Sequence, residues 1–111
     1  MSIEINFSAL PNEHSALEQA MGLFESESPK YIAQILDGVA LDDLESVRTG
    51  ASMLMSSSEA VGAQTLSGRC RDIENAARLG DLDQCSELST DLMTDFDESV
   101  VAIQLFMQRA A

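Results

Sequence analysis

The sequence predicts an all-α protein, an up-down-up-down antiparallel four-helix bundle with a short N-terminal arm or helix. Three observations carry this. Apolar residues recur three and four apart from about residue 14 to the end, the spacing that gives a helix one buried face. No stretch alternates apolar and polar residues as a half-buried strand does. The connections between periodic segments are short, which makes consecutive helices antiparallel neighbours. A chain of 111 residues, 45% of them apolar, can bury one core without disulfides or a structural metal. One domain over 1–111 is expected, with an arm over 1–12 and the bundle over 13–109.

The first helix is expected from near His14 to Ala40, with Leu17, Met21, Phe24, Ile32, Ile35, Leu36 and Val39 inward. Pro29 lies inside it, so this segment is either one kinked helix or two helices meeting at Ser28, because proline removes a backbone donor and crowds the preceding turn. Asp42 followed by Glu45 reads as a capping-box-like start for the second helix, whose inward stripe is Leu44, Val47, Ala51, Leu54 and Ser58. The third begins near Gly62 and presents Leu66, Cys70, Ile73 and Ala77; Gly80 ends it and Asp81 is placed to cap the fourth. That last helix reads as one long segment, with Leu82, Cys85, Leu88, Leu92, Phe96, Ile103 and Phe106 on its buried side and Arg109 near its end, as the helix dipole favours.

The charge is lopsided: 19 Asp and Glu against 6 Lys and Arg, net −13, with the bases scattered. Binding to nucleic acid rests on neutralising phosphates, so this balance argues against a nucleic-acid partner and equally against an anionic membrane. No run of apolar residues is long enough for a membrane span, and MSIEINFSAL has acid where a secretory signal needs base; a cytoplasmic protein is expected. Cys70, Cys85 and His14 are too few and too far apart for a metal motif, so buried free thiols, no metal and no cofactor are expected. No nucleophile–base pair or phosphate-cradling loop is visible, and the chain does not read as an enzyme.

The run DDLESVRTGASMLMSSSEAVGA from Asp42 to Ala63, followed by GRCRDIENAARLGDLDQCSEL from Gly68 to Leu88, carries the strongest signal. From Leu36 to Phe96 the chain resembles, without a gap, the histidine-phosphotransfer (HPt) domain family, whose members read GDLEALRRAAHTLKGSSANVGA, then a helix like LCRELE, then an AAxxGD turn. Counting back from Gly62 and Ala63, the family's phosphorylated histidine falls on Ser52, its lysine on Met55 and its glycine on Ser56. Three changes within five residues remove the chemical centre and leave the scaffold.

The resemblance implies a protein of two-component phosphorelay signalling whose partner is a response-regulator receiver domain or a hybrid histidine kinase. Serine cannot take the histidine's part: its hydroxyl is a weak nucleophile without an adjacent base, and a phosphoserine ester is too stable to return its phosphate to an aspartate. The reading is therefore a module that binds without carrying phosphate, a decoy, inhibitor or adaptor. The alternatives are a working carrier that uses another residue such as His14, and a helical interaction protein outside two-component signalling. Residues three and four apart share a helical face, so Arg48, Ser52, Met55, Ser56 and Glu59 form the expected partner-binding surface, with no catalytic residue among them. Met55 replaces a phosphate-tending charge by a flexible apolar side chain on an outward position, and Arg48 is placed to pair with Glu45 or Ser52 or to meet an acidic partner.

Overall fold

The computed structural model describes residues 3–110, and they form an all-helical bundle. After an extended arm and a single 3-10 turn at Phe7–Ala9 come α1 (His14–Ala40), α2 (Leu44–Ala60), α3 (Gln64–Arg78), α4 (Leu82–Ser89) and α5 (Leu92–Ala110). α2 packs on α1 and α3, α4 continues the zigzag beside α3, and α5 closes the bundle against α1 and α3. Between them lie the apolar stripes read from the sequence: Leu17, Met21, Phe24, Ile32 and Ile35 from α1, Val47, Ala51 and Leu54 from α2, Leu66, Cys70, Ile73 and Ala77 from α3, and Cys85, Leu92, Phe96 and Ile103 from α4 and α5.

Three details of the helices themselves, and one of their turns, differ from the sequence reading. α1 runs unbroken through Pro29: the missing amide removes one hydrogen bond, but buried side chains on both sides of it, Phe24 and Ile32, hold the two halves against one core. Leu36 is 43% exposed rather than inward, and Gly38 takes the buried place near the end of α1. The expected long fourth helix is two helices, interrupted at Thr90 and Asp91. The hydroxyls of Ser89 and Thr90 both donate to the Ser86 carbonyl, the local competition with backbone bonding that makes such residues helix-weakening.

The three turns between the first four helices share one device. In each, a residue at positive φ ends the helix: Asp42 (54°), Gly62 (69°) and Gly80 (78°). Its amide and the next one donate back to the last turn, Asp42 to Val39 and Asp43 to Gly38, Gly62 to Glu59 and Ala63 to Ser58, Gly80 to Ala77 and Asp81 to Ala76. This is the Schellman arrangement. Asp42, expected as a cap, is therefore the left-handed residue of the first turn, and the cap of α2 is Asp43, which accepts from the Ser46 amide at 3.2 Å and the Ser46 hydroxyl at 2.8 Å. Those bonds, the hydroxyl first, hold its carboxyl below the usual carboxylate range. Asp81 caps α4 as expected, accepting from the Gln84 amide.

At the start of α3 the cap position is Ala63, which has no side-chain acceptor. The arm supplies one. The Glu4 carbonyl accepts from the amides of Gln64 and Thr65 at 3.0 and 3.3 Å, the Glu4 amide donates to Thr65 Oγ1, and the Asn6 amide donates to the Gly62 carbonyl. Ile5 pairs with Ala63 in an isolated antiparallel bridge. Farther along, Phe7 stacks on Phe106 of α5 at 4.7 Å and Leu10 is buried, so the arm straps the α2–α3 turn to the closing helix.

Two tests follow from this geometry. A Cβ at Gly62 would lie 2.3 Å from the Asn6 carbonyl oxygen on a backbone at φ +69°, whereas one at Gly22 in α1 meets nothing within 4 Å. Gly62→Ala should cost roughly 2–4 kcal/mol in chemical denaturation, while Gly22→Ala should be neutral or stabilise by up to about 1 kcal/mol. The second concerns the thiols, both buried and unpaired. Burial pushes Cys70 from 9.0 up to about 12, and burial with the Asp81 charge also raises Cys85, whose Sγ lies 3.7 Å from the Ile73 carbonyl. A folded-state value above the unfolded one means that folding favours the protonated thiol, so its contribution is intact below about 9 and is lost as pH rises toward 12. A thiol-disulfide reagent at pH 8 should label neither cysteine in the native chain and both after unfolding, and Cys70→Ala should lose less stability than wild type between pH 9 and 11.

Candidate functional site

The face predicted from the sequence lies on α2, and its orientation is set by close packing on α1. A Cβ at Gly50 would come 2.9 Å from Ile35 Cγ1 and 3.2 Å from the Tyr31 carbonyl, and one at Gly38 would come 2.8 Å from Val47 Cγ2. The two backbones therefore touch where these glycines lie. With Val47, Ala51, Leu54 and Ser58 buried in the bundle, and Ser58 satisfied by donating to the Leu54 carbonyl at 2.7 Å, residues one or two positions away in the helical wheel are turned out.

Arg48, Ser52, Ser56 and Glu59 are exposed, Ser52 near the middle of the helix. Met55 departs from the expectation: it is half-buried and packs against the core from the edge of the face. At about 70° from the centre of the buried stripe, a long unbranched side chain can lie back on its neighbours. It is thus a partly apolar floor to the face and not a projecting anchor. Arg48 makes no ion pair among the described residues, so the pairing with Glu45 suggested by spacing is not formed.

Packing adds residues that sequence spacing could not supply. Glu59 reaches Arg71 of α3 at 3.8 Å; both are exposed, and such a pair contributes little by itself. Around it, Asn6, Gly62, Gln64 and Ser67 line a small polar cleft of about 330 Å³ at the α2–α3 end of the face. Arg69, two residues before Arg71, turns the other way and pairs with Asp95 of α5. Asp95 is 5% exposed and Arg69 17%, so this is a largely desolvated pair whose disruption would leave one charge uncompensated. In the sequence these bases looked alike; only the helix rotation separates them.

His14, the only histidine, opens α1. It is exposed, its Nε2 lies 2.7 Å from Glu18 Oε1, and it lines a cleft with Gln104, Met107 and Gln108 that shares no residue with the α2 face. Neither thiol is available as a nucleophile on that face, both being buried. Among the described residues no three His, Cys, Asp or Glu side chains converge as a metal site would require, and no helix is long and apolar enough to cross a membrane.

Comparison with known proteins agrees with this architecture. The chain superimposes on the crystal structure of histidine-containing phosphotransfer protein B (HptB) from Pseudomonas aeruginosa PAO1 with a TM-score of 0.82, covering 95% of each chain at 20% sequence identity. At that identity the likeness speaks to the fold. No curated protein matches at a significant level. Residues 19–110, most of the bundle, match the Hpt domain family, and the chain therefore belongs to that family of two-component phosphotransfer proteins.

Proposed function

We propose that this Hpt-family protein binds a receiver domain or a histidine kinase through the α2 face and does not relay phosphate. The observation that supports it most directly is the exposed mid-helix Ser52, at the position where the family motif has its histidine, in a chain whose one histidine opens α1 instead. A relay needs a nitrogen nucleophile whose phosphoramidate can pass phosphate on. Ser52 offers a hydroxyl, and its neighbours on the face are Arg48, Met55 and Ser56, none of which is a base that could activate it. Met55 in place of a lysine removes the cation that would balance a phosphate, and Ser56 in place of a glycine adds a side chain where a partner approaches. The face is exposed, and it lacks the groups suited to transfer. Its role is that of a decoy, inhibitor or adaptor, and a cytoplasmic location goes with this reading.

The direct test is incubation with an autophosphorylated hybrid kinase or a phosphorylated receiver, in which this chain should stay unlabelled. Acid-labile label that disappears in His14→Ala would overturn the proposal in favour of a carrier using His14. Binding is tested by titration of the same partners. Met55→Asp should weaken it by roughly 1–3 kcal/mol and Met55→Leu much less, because a charge would replace an apolar contact. Since Met55 also touches the core, each titration is run at a temperature where melting shows both variants fully folded. Equal affinity of Met55→Asp and wild type would move the docking site elsewhere.

A further inference from the structure

A second surface lies on α5, at the opposite corner of the bundle. α2 and α5 each pack on α1 and α3, so what docks on one leaves the other free. Along the outer side of α5, Val101 is 56% exposed and Leu105 49%. With Ala102 and with Ile3 of the arm they line a cleft of about 450 Å³, and Asp97 and Glu98 line the same cleft. These positions are one and two turns apart and form a single stripe. Val101 and Leu105 are not spare core residues left over by packing: the inward side of the same turns is filled by Ser99, Ile103 and the half-buried Phe106. The stripe is thus apolar in addition to the buried one.

We propose that this cleft binds an amphipathic segment of a partner protein, apolar along one side and carrying Lys or Arg where it meets Asp97 and Glu98. The charge distribution selects this occupant. No basic residue lines the cleft, its two charged residues are both acids, and the whole chain carries −13. A second copy docked about a two-fold axis along α5 would bring Asp97 and Glu98 of both chains together, and one docked antiparallel would offer those two acids a single Arg109; either arrangement works against the repulsion of two molecules that each carry −13. An anionic lipid surface is repelled in the same way. A basic amphipathic segment meets both demands, covering the apolar stripe and neutralising the acids. Arg109 lies in the last turn of the helix, one turn beyond Leu105, so the cleft has acid toward one end and base beyond the other, and the segment docks in one direction. This surface is independent of the α2 face, and its occupation does not depend on whether phosphate is relayed.

The test uses a fluorescein-labelled helical peptide of leucine and lysine, leucines on one side, and a matched leucine–glutamate peptide, titrated with the full chain at moderate salt. The leucine–lysine peptide should bind and the leucine–glutamate peptide should not. Val101→Asp is the discriminating variant, because it makes the protein more acidic: attraction by net charge alone predicts equal or tighter binding, whereas the cleft predicts a loss of about tenfold or more. Ser86→Asp, the same charge added on exposed α4, should leave affinity within about twofold, and Asp97→Asn with Glu98→Gln should weaken binding and flatten its salt dependence. If melting shows Val101→Asp to be unfolded, Val101→Ser replaces it, with a loss of about threefold expected. The proposal is overturned by absence of peptide binding to wild type, by equal or tighter binding of the Val101 variant, or by equal binding of the two peptides. A concentration-dependent dimer in sedimentation that Val101→Asp dissociates would also overturn it, by giving the cleft to a second copy.

Discussion

The contact on which the candidate face depends is the backbone approach of α1 and α2 at Gly38 and Gly50. Without side chains at these points, Val47 and Ile35 close directly on the opposing backbone, which fixes both the separation and the rotation of α2. Rotation is the functional variable. A helix turned by one residue, about 100°, would bring Ser52 to the buried place of Ala51 and Leu54 to the exposed place of Met53. Interiors pack at crystal-like density, so such a contact has one arrangement and not a range.

The turns reinforce that rotation. Each of the first three helices ends in the same left-handed residue and back-donated pair of amides, so each successor starts at a defined angle. Two of the successors carry an aspartate cap of their own; the third borrows the Glu4 carbonyl from the arm. The arm is for this reason part of the scaffold. Its bridge to Ala63 and the stack of Phe7 on Phe106 link the α2–α3 turn to α5, while the largely desolvated Arg69–Asp95 pair links α3 to the first turn of α5. A buried ion pair gives little net stability relative to an apolar contact of the same shape, but it is directional, and in this bundle it joins the interrupted fourth limb to α3 just after the break at Thr90 and Asp91.

The proposed function rests on a family scaffold that carries Ser52, Met55 and Ser56 where the family motif reads histidine, lysine and glycine. The α2 face offers serines, a lone arginine and a methionine floor; α5 offers an apolar cleft edged with acid. They differ in chemistry and lie on helices that pack on opposite sides of α1 and α3, which is consistent with the adaptor role proposed above. On the proposed reading of the α5 cleft, the strong negative charge speeds encounter with a basic segment.

Read alone, the sequence determined the first three helices, most of the inward stripes, the turn at Gly80 with the Asp81 cap, and the exposure of Ser52, because helical periodicity and turn chemistry are short-range properties that a few neighbouring residues decide. The remainder needed the tertiary structure. Pro29 could be judged only when both flanks were seen against one core. Asp42 and Asp43 are adjacent acids, and which one caps depends on where α1 lets the chain turn. Met55 stands at the margin of its stripe, where the neighbouring helix decides between solvent and core. Arg69 and Arg71 differ by about 200° around α3, so one finds Asp95 in the interior and the other Glu59 on the surface. The cleft on α5 combines Ile3 with residues about a hundred positions later, a juxtaposition that no local pattern encodes, since only the closed bundle brings the arm against its last helix.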